Sequence, residues 1–555
     1  MLIKFSNLDR IRHLKCDQTL PSCVKCTSTG RTCDEYADPS KQTGASESPL
    51  LESSSSASSD TLLSGSRSTE GSMVMAMRVM PSMTVNHREL RAIDYFRHQS
   101  GQDPFSALEG DFWRTFVLQM SNSFPAVQHA LIAFSDLHEK YVVRDDRFSS
   151  AKVYSRQQYG RAIKSLREHL GSASTSRDVT EETLLICLLF VCFEVLQGND
   201  FAALVHLEAA LGIFSNLPNS CPGALTRSFH QGTPVLPALA KMFIRLDNQA
   251  TNLIGSRPPS TVSPDNIHRL AIISEVSQSS PSKIAQARDS LHLCISCAHD
   301  YLRSTAGSVD LNNTTIGLAL AVQKKNGQLG SLRAWVREYQ DLLERISFAF
   351  ENNDAELANR EEATECAVLW LAYLVTYIKL STSLDPDEIT YDSYLPQFRA
   401  IIEHSEAVLG QILADENILS RNDAASPPRK LFTIEEKFIH PLYFTAFKCR
   451  DSLIRQRAIA LMRVAGKEGA WDGIVFARIA EHVKVLEEEG APGSECGGEG
   501  NPALVSELKR VHSVGFQINR EEKTIWVQCT LKAPTSLSEN KVFEGKKLDD
   551  VLSYA

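Results

Sequence analysis

The sequence predicts a mainly α-helical protein that begins with a small, incomplete zinc cluster, continues through a disordered serine-rich linker and closes with a C-terminal β-hairpin. Three observations support this fold class. Closely spaced cysteines follow a basic run near the N-terminus. The stretch 37–73 is rich in serine and contains no aromatic residue. From His87 onward, apolar residues recur at helical spacing over most of the chain.

The spacing of the N-terminal cysteines suits zinc. They follow one another as Cys16-x6-Cys23-x2-Cys26-x6-Cys33. Thiolates are good ligands for tetrahedral zinc, and the short loops between them close at low entropic cost. A segment this small has too little apolar area to fold alone, so bound metal would supply the folding energy. The alternative of four unrelated buried thiols is disfavoured, because the segment is too polar to bury them.

This stretch resembles the fungal zinc binuclear cluster family of transcription factors, whose pattern contains six cysteines. The four cysteines match the last four of the family in register, and Pro21 matches the proline between the two halves of the cluster. The basic signature that precedes the cysteines in the family matches at Arg10, Arg12, Lys15 and Asp17. The resemblance therefore implies a zinc-dependent DNA-binding module in residues 1–36.

The match departs from the family at the first two cysteines, where the chain has Ser6 and Asp9. In the family, six thiolates hold two zinc ions, so the chain as written is expected to hold one zinc ion through its four cysteines. Asp9 could add a carboxylate oxygen, which zinc accepts. Either the cluster has decayed, or residues 1–9 come from a misplaced start or exon boundary. The abrupt beginning of the match at Arg10 favours the second explanation.

The resemblance also implies how the module would contact double-stranded DNA. Arg12 and His13 fall at the two positions that read bases in the family, usually in CGG-type sites, and arginine suits guanine. Arg10 and Lys15 would lie on phosphates and fix the register. The alternative is that these residues form only a solvated basic face. The family further implies a nuclear regulator of RNA polymerase II genes, with co-regulators as additional partners.

Charge and cysteine usage agree with such a layout. The 555-residue chain has a net charge of -9, yet its N-terminal 31 residues are basic. A basic module on an acidic body confines attraction to DNA to one part of the molecule. The odd total of 13 cysteines and the lack of an export signal predict a reducing compartment. Cys294-x2-Cys297 lies in an apolar helical pattern and is interpreted as core packing.

Residues 37–80 are predicted to be a disordered linker, and residues 81–535 a helical regulatory region. The linker contains serine runs such as Ser53–Ser56 and shows no heptad repeat. In the helical region, Asp178 to Glu181 has the form of a capping box, and Leu184–Phe193 is a continuous apolar run. This run is half the ~20 residues that a membrane-spanning helix needs, so it predicts a buried core helix and no membrane contact.

Other helices are predicted from apolar periodicity. One of them is marked by the stripe Val153, Ala162, Ile163, Leu166 and Leu170. The others cover Leu332–Phe350, Ala363–Leu380, Phe398–Leu413 and Trp471–Leu486. Alternating residues on both sides of Asn519–Lys523 predict a β-hairpin. Gly490–Pro502 is predicted to be a flexible loop, and 536–555 a C-terminal tail.

The body resembles the same family in three segments, and no enzyme motif accompanies them. The segments are His87–Phe96, Phe124–Ala133 and His440–Ala446. The chain lacks the glycine-rich phosphate loops and the hydrolase motifs of common enzymes. Isolated His440 and His482 are interpreted as surface or satisfied core histidines. The sequence therefore predicts a non-enzymatic, sequence-specific DNA-binding transcription regulator. The alternative is a helical regulatory protein that has lost DNA binding and acts through protein or small-molecule contacts.

Overall fold

The computed structural model describes residues 86–100, 110, 112–142, 148–172, 177–217, 228–229, 233–255, 282–306, 315–351, 360–420, 432–488, 505–532 and 546–554. All of them belong to one compact unit, Met83–Ala555. The predicted zinc cluster, the serine-rich linker and the predicted loop Gly490–Pro502 lie outside the described residues.

Helices form most of the described part. They are α1 (His87–Tyr95), α2 (Leu118–Ser123), α3 (Pro125–Val142), α4 (Phe148–Ser172), α5 (Arg177–Gln197), α6 (Asp200–Ser215), α7 (Val235–Ile254), α8 (Lys283–Ala306), α9 (Thr315–Glu351), α10 (Arg360–Thr382), α11 (Leu395–Ser420), α12 (Ile439–Lys448), α13 (Ser452–Val464) and α14 (Gly473–Glu488). Short π-helical turns cover Phe96–Ser100 and Phe112–Val117, and 3-10 turns cover Glu388–Tyr394 and Glu507–Lys509.

The strands belong to three small sheets. They are β1 (Ser228–Phe229), β2 (Thr233–Pro234), β3 (Phe432–Thr433), β4 (Lys467–Glu468), β5 (Trp471–Asp472), β6 (Val511–Asn519), β7 (Thr524–Leu531) and β8 (Lys546–Ser553). β1 pairs with β2, β4 lies between β3 and β5, and β7 lies between β6 and β8. The mainly helical fold class is confirmed.

Helix α1 begins at a capping box that was not predicted from sequence. The Asn86 side chain accepts hydrogen bonds from the backbone N–H groups of Arg88 and Glu89, both at 3.0 Å, and Glu89 Oε2 accepts from the Asn86 N–H at 3.0 Å. This exchange satisfies N–H groups that have no partner within the helix. The capping box predicted at Asp178 is wrong, because α5 already includes Arg177 and Asp178 lies inside its first turn.

The first hydrophobic core is built from α3 to α7. Every residue of Leu184–Phe193 in α5 is buried, which confirms the predicted core helix. The predicted stripe on α4 is only partly correct. Ala162 is fully buried, but Val153 and Leu170 are 61% and 47% exposed. Apolar periodicity predicts which face of a helix is buried, but not how far along the helix other elements pack against that face.

A second core lies in the C-terminal half, and a third is formed by α8, α9 and α10. Helix α10 contributes Val375 and Ile378 to the second core, and Leu369 and Leu380 to the third. Among the described helices, α10 alone is long and apolar enough to cross a bilayer, and 56% of its most apolar window is buried inside the protein. Its apolar composition is accounted for by contact with two cores.

The predicted β-hairpin is confirmed and belongs to a larger sheet. Phe516 pairs with Val527 in the antiparallel β6–β7 ladder. A third strand, β8, lies within the stretch predicted to be a C-terminal tail and pairs with β7. In β8 the apolar alternation is weak, since the face that carries the buried Leu552 also carries the exposed Asp550. The segment predicted to be helical from Trp471 begins instead with β5, and α14 starts at Gly473.

Candidate functional site

The site residues predicted from sequence lie outside the described residues. They are Cys16, Cys23, Cys26 and Cys33 for zinc, and Arg10, Arg12, His13 and Lys15 for DNA. Within the described ranges, no group of three or more His, Cys, Asp and Glu side chains is placed to hold a metal ion. Zinc binding therefore remains a prediction about the N-terminal segment.

In the described part, the most concentrated polar chemistry lies around residues 432–440, which we call the hub segment. Phe432 and Ile434 belong to the first core, and Phe438 and Ile439 belong to the second. The hub segment thus passes from one core to another, and its polar residues contact α7 and α10. Burying so many polar groups costs free energy unless each is paired, so their partners define what the site can do.

One side of the hub carries an ion-pair cluster around the buried Arg245. Glu435 Oε1 lies 3.1 Å from the guanidinium of Arg245 on α7. Asp289 on α8 lies 2.7 Å from Lys241 and 3.8 Å from Arg245. The Arg245 side chain is only 5% exposed, so these pairs interact at low dielectric constant. Removing one partner would leave a buried charge without compensation.

The other side of the hub carries a chain of hydrogen bonds that ends at the half-buried Lys379. Glu436 Oε1 lies 2.5 Å from His440 Nδ1, and the carboxylate can only accept, so neutral His440 carries its hydrogen on Nδ1. His440 Nε2 is then an acceptor for Lys379 Nζ at 3.2 Å. Lys379 also donates to Asn252 Oδ1 at 3.1 Å. The ring of Trp471 packs 4.9 Å from the His440 ring.

A second histidine is held from the opposite side of Asn252. His299 Nε2 lies 3.1 Å from Asn252 Oδ1, and this oxygen can only accept, so the hydrogen of neutral His299 is on Nε2. Its Nδ1 is buried and has no hydrogen-bond partner among the described residues. His299 is therefore a base with a free lone pair in a closed environment.

Burial shifts the titration of these groups. It lowers the pKa of Lys379 to about 8, with Glu436 opposing the shift. Burial lowers the pKa of His440, and the positive charge of Lys379 acts in the same direction. The pKa of His299 is lowered by burial, by Lys379 and by His440. The site therefore favours the neutral forms of His440 and His299, and burial makes the charged form of Lys379 less favourable than in water.

A buried carboxylate anchors the end of the hub segment, where α12 begins. Glu468 Oε2 on β4 accepts hydrogen bonds from three consecutive backbone N–H groups, those of Lys437, Phe438 and Ile439, at 2.9, 3.0 and 2.9 Å. A helix N-terminus presents such unpaired N–H groups and favours negative charge. Burial nevertheless raises the pKa of Glu468 to about 7.

A separate buried network ties the C-terminal sheet to the helices. Arg450 bridges Glu388 and Glu487, at 3.1 and 2.8 Å. Lys448 lies 2.6 Å from Glu388, and Glu487 also accepts from the backbone N–H of Val511 at the start of β6, at 2.7 Å. Its cations and carboxylates neutralise one another, so the network is a structural connection.

The described residues offer no arrangement suited to covalent catalysis. Burial raises the pKa of every cysteine thiol for which a shift is resolved, including those of Cys294 and Cys297, so these thiols are poor nucleophiles. The interpretation of His440 as a satisfied core histidine is confirmed. His482 is partly buried, 3.7 Å from Asp550 Oδ2. The remaining partners of the hub were not predicted from sequence, because they lie on separate elements that are far apart along the chain.

Comparison with known proteins agrees with this non-catalytic interior. Residues 10–43 match the family model described as fungal Zn(2)-Cys(6) binuclear cluster domain. Residues 94–374 match the one described as fungal specific transcription factor domain. The second match extends over about half of the chain and includes α7 and α8, but it ends before the hub segment.

Two curated relatives match as well. The aspercryptin biosynthesis cluster-specific transcription regulator atnN of Emericella nidulans is 22% identical over 600 aligned positions, which cover 94% of this chain and 93% of the relative. The transcription regulator lscL of Purpureocillium lilacinum is 28% identical over 214 positions, which cover 37% of this chain and 47% of the relative. No solved structure matches the chain significantly.

Proposed function

The chain belongs to the family of fungal transcription factors that carry the fungal specific transcription factor domain, and from this membership we propose that it controls RNA polymerase II genes from CGG-type DNA sites in the nucleus. It is a zinc-dependent, DNA-binding transcription regulator and not an enzyme. The observation that carries this conclusion is the presence of both family domains in one chain, with the zinc cluster before the helical body.

The zinc site is proposed to differ from the one for which the family is named. Residues 10–43 contain four cysteines instead of six. Four thiolates suit one tetrahedral zinc ion, whereas a two-metal cluster with six thiolates does not fit this donor set. We assign Cys16, Cys23, Cys26 and Cys33 as ligands of a single zinc ion, whose binding would order the segment.

Metal content tests this assignment directly. We expect about one zinc ion per full-length chain, because four thiolates fill the coordination sphere of a single ion. Cys23→Ser should reduce the zinc content, while Cys529→Ser, which alters a buried thiol of the C-terminal sheet, should leave it unchanged. Two zinc ions per chain, or normal zinc content in Cys23→Ser, would refute the assignment.

DNA contacts are proposed for the basic residues that precede the cysteines. Arg12 and His13 would read bases, and Arg10 and Lys15 would contact phosphates. Arg12→Ala should cost ~1–3 kcal/mol on a matched site and relax the preference at one base pair. Lys15→Ala should weaken binding on all sequences alike and reduce the salt slope by about one unit. Lys324→Ala, on the exposed surface of α9, serves as the matched control.

Binding measured on CGG-containing and scrambled DNA at several salt concentrations separates these contributions. Site-selective binding that Arg12→Ala relaxes would support direct base reading. Equal binding to both DNAs, with no effect of Arg12→Ala, would instead favour a helical regulator that acts through co-regulators. A fluorescent fusion to the full-length protein tests the nuclear location, and a signal that stays outside the nucleus would contradict it.

The target genes are proposed to include a biosynthetic gene cluster. This proposal rests on the relative that matches nearly the whole chain and is named as a cluster-specific regulator. Raising the level of the protein in its source fungus should then change the transcripts of neighbouring biosynthetic genes together. Changes confined to scattered, unlinked genes would contradict the proposal.

A further inference from the structure

The cluster of Lys379, His440, Glu436 and His299 lies where the three hydrophobic cores meet. His440 is on α12 of the second core, and Glu436 is in the hub segment that links this core to the first. Lys379 is on α10, which serves the second and third cores, and His299 is on α8 of the third. Asn252 on α7 touches Lys379, His299 and Glu436. A few polar contacts therefore join elements from all three cores.

We propose that this cluster is a proton-sensitive latch, in which uptake of one proton by His440 opens the contacts between the hub segment, α7 and α10. The proposal goes beyond the DNA-binding function and does not depend on it. It follows from the geometry, because the neutral ring of His440 is an acceptor for Lys379 at 3.2 Å. A protonated ring has no lone pair on Nε2, so the hydrogen bond would be replaced by repulsion between two cations.

Groups on every neighbouring element decide whether this repulsion is relieved. Those closest to His440 are Glu436 of the hub, Lys379 of α10, His299 of α8 and Glu468 of β4. Around them lie further charged and titratable groups: Glu435 and Lys437 of the hub, Arg245 of α7, Arg288 and His292 of α8, and Glu365 of α10. Of these, Glu436 favours the protonated ring of His440, while burial and Lys379 disfavour it more strongly. His299 cannot compensate, because it is itself a buried base beside Lys379.

Thermodynamic linkage sets the direction and the size of the response. In the opened state His440 regains its ordinary pKa of 6.5, whereas in the closed state its pKa lies lower. Between these two values the opened state binds more protons, so opening becomes more favourable as the pH falls. The opening that we propose leaves Glu468 on the backbone N–H groups at the start of α12, so only the proton taken up by His440 counts. The opening equilibrium should then rise by up to about tenfold per pH unit below about pH 6.5.

Hydrogen exchange of the full-length protein between pH 7.5 and 5.5, corrected for the intrinsic exchange rate, tests the latch. We expect the amides of α12 and of the C-terminal half of α7 to lose protection on acidification. The amides of α5, which lies in the first core and contains no histidine, should keep theirs. His440→Gln preserves an acceptor that does not titrate in this range, and it should remove most of the pH response.

Two further variants make the result decisive. The first variant, His206→Gln, replaces a histidine on α6, and burial lowers the pKa of this histidine as well. The hub amides of this variant should respond to pH as in the wild type. Lys379→Met removes the cation and should weaken the response even if His440→Gln does not fold. The proposal is overturned if the wild-type hub does not respond to pH. It is also overturned if His440→Gln or Lys379→Met keeps the full response, or if His206→Gln abolishes it.

Discussion

Glu468 is predicted to contribute more to stability than any exposed carboxylate of the protein. All three of its backbone hydrogen bonds converge on one oxygen, Oε2, at 2.9 to 3.0 Å. Glu468→Ala would leave three buried N–H groups without an acceptor. Each unsatisfied group costs about 1 kcal/mol or more, so the free energy of unfolding should fall by about 3 kcal/mol. Removing the buried carboxylate also removes its desolvation penalty, which makes the net fall smaller.

Glu468→Gln separates the hydrogen bonds from the charge. The amide oxygen can occupy the position of Oε2 and accept the same three bonds. Because burial penalises the ionised carboxylate more than the three bonds favour it, Glu468→Gln should not lower stability at pH 7.5, in contrast to Glu468→Ala. Urea unfolding of the full-length protein at pH 7.5 measures both changes, provided that the slope with denaturant is unchanged.

The pH dependence provides a second test of the same residue. Because burial raises the pKa of Glu468 from its ordinary value of 4.5 to about 7, the folded state holds a proton that the unfolded state has lost in this range. Its contribution to stability is therefore complete below pH 4.5 and declines as the pH rises to about 7. Glu468→Gln should remove this decline.

The matched control is Glu481, a partly exposed carboxylate of α14 that accepts hydrogen bonds from Arg463 and Arg478. Glu481→Ala should cost below about 1 kcal/mol, as is usual for surface ion pairs. The reasoning would be refuted if Glu468→Ala cost no more than Glu481→Ala, or if Glu468→Gln retained the decline in stability between pH 4.5 and 7.

Three other substitutions test the packing. Gly198 has φ +79°, and a Cβ there would lie 2.3 Å from Arg520 Nε. Gly198→Ala should therefore lower the free energy of unfolding in urea by about 1–2 kcal/mol. An equal cost in an Arg520→Ala background would show that the contact with Arg520 is irrelevant. Phe476→Ala empties a fully buried site of the second core and should cost about 3–5 kcal/mol, whereas Leu453→Ala, at a site 62% exposed, should shift the midpoint little. Burial lowers the pKa of His138 from 6.5 to about 3, so the stability that its neutral form contributes is lost as the pH falls from 6.5 to about 3. His138→Phe should make the free energy of unfolding fall less steeply in this range. An unchanged pH dependence would contradict the prediction.

Prediction from sequence succeeded where the signal is local. The apolar run in α5 and the alternation around Asn519–Lys523 both depend on side-chain periodicity, and the structure confirms both. It was incomplete where the signal is weak or ambiguous. Strand β8 has exposed and charged residues on one face, and the short strand β5 directly precedes a helix of similar composition.

The candidate site of the helical body could not have been predicted in the same way. His440 was noticed as an isolated histidine, but the other members of its cluster, Glu436, Lys379, Asn252 and His299, lie as far away in the chain as position 252. No spacing rule connects such residues, since their proximity depends on how α7, α8, α10 and the hub pack together.

The sequence by itself determined that the protein is helical, that a cysteine-rich basic module precedes the body, and that a family of transcription regulators matches it. These properties depend on residues that are close along the chain, where chelate spacing and helical periodicity act directly. The tertiary structure alone decided which buried bases share one hydrogen-bond chain and which cores they join. Burial and the distance between charges set the protonation of those groups, and both quantities exist only after distant segments have packed together.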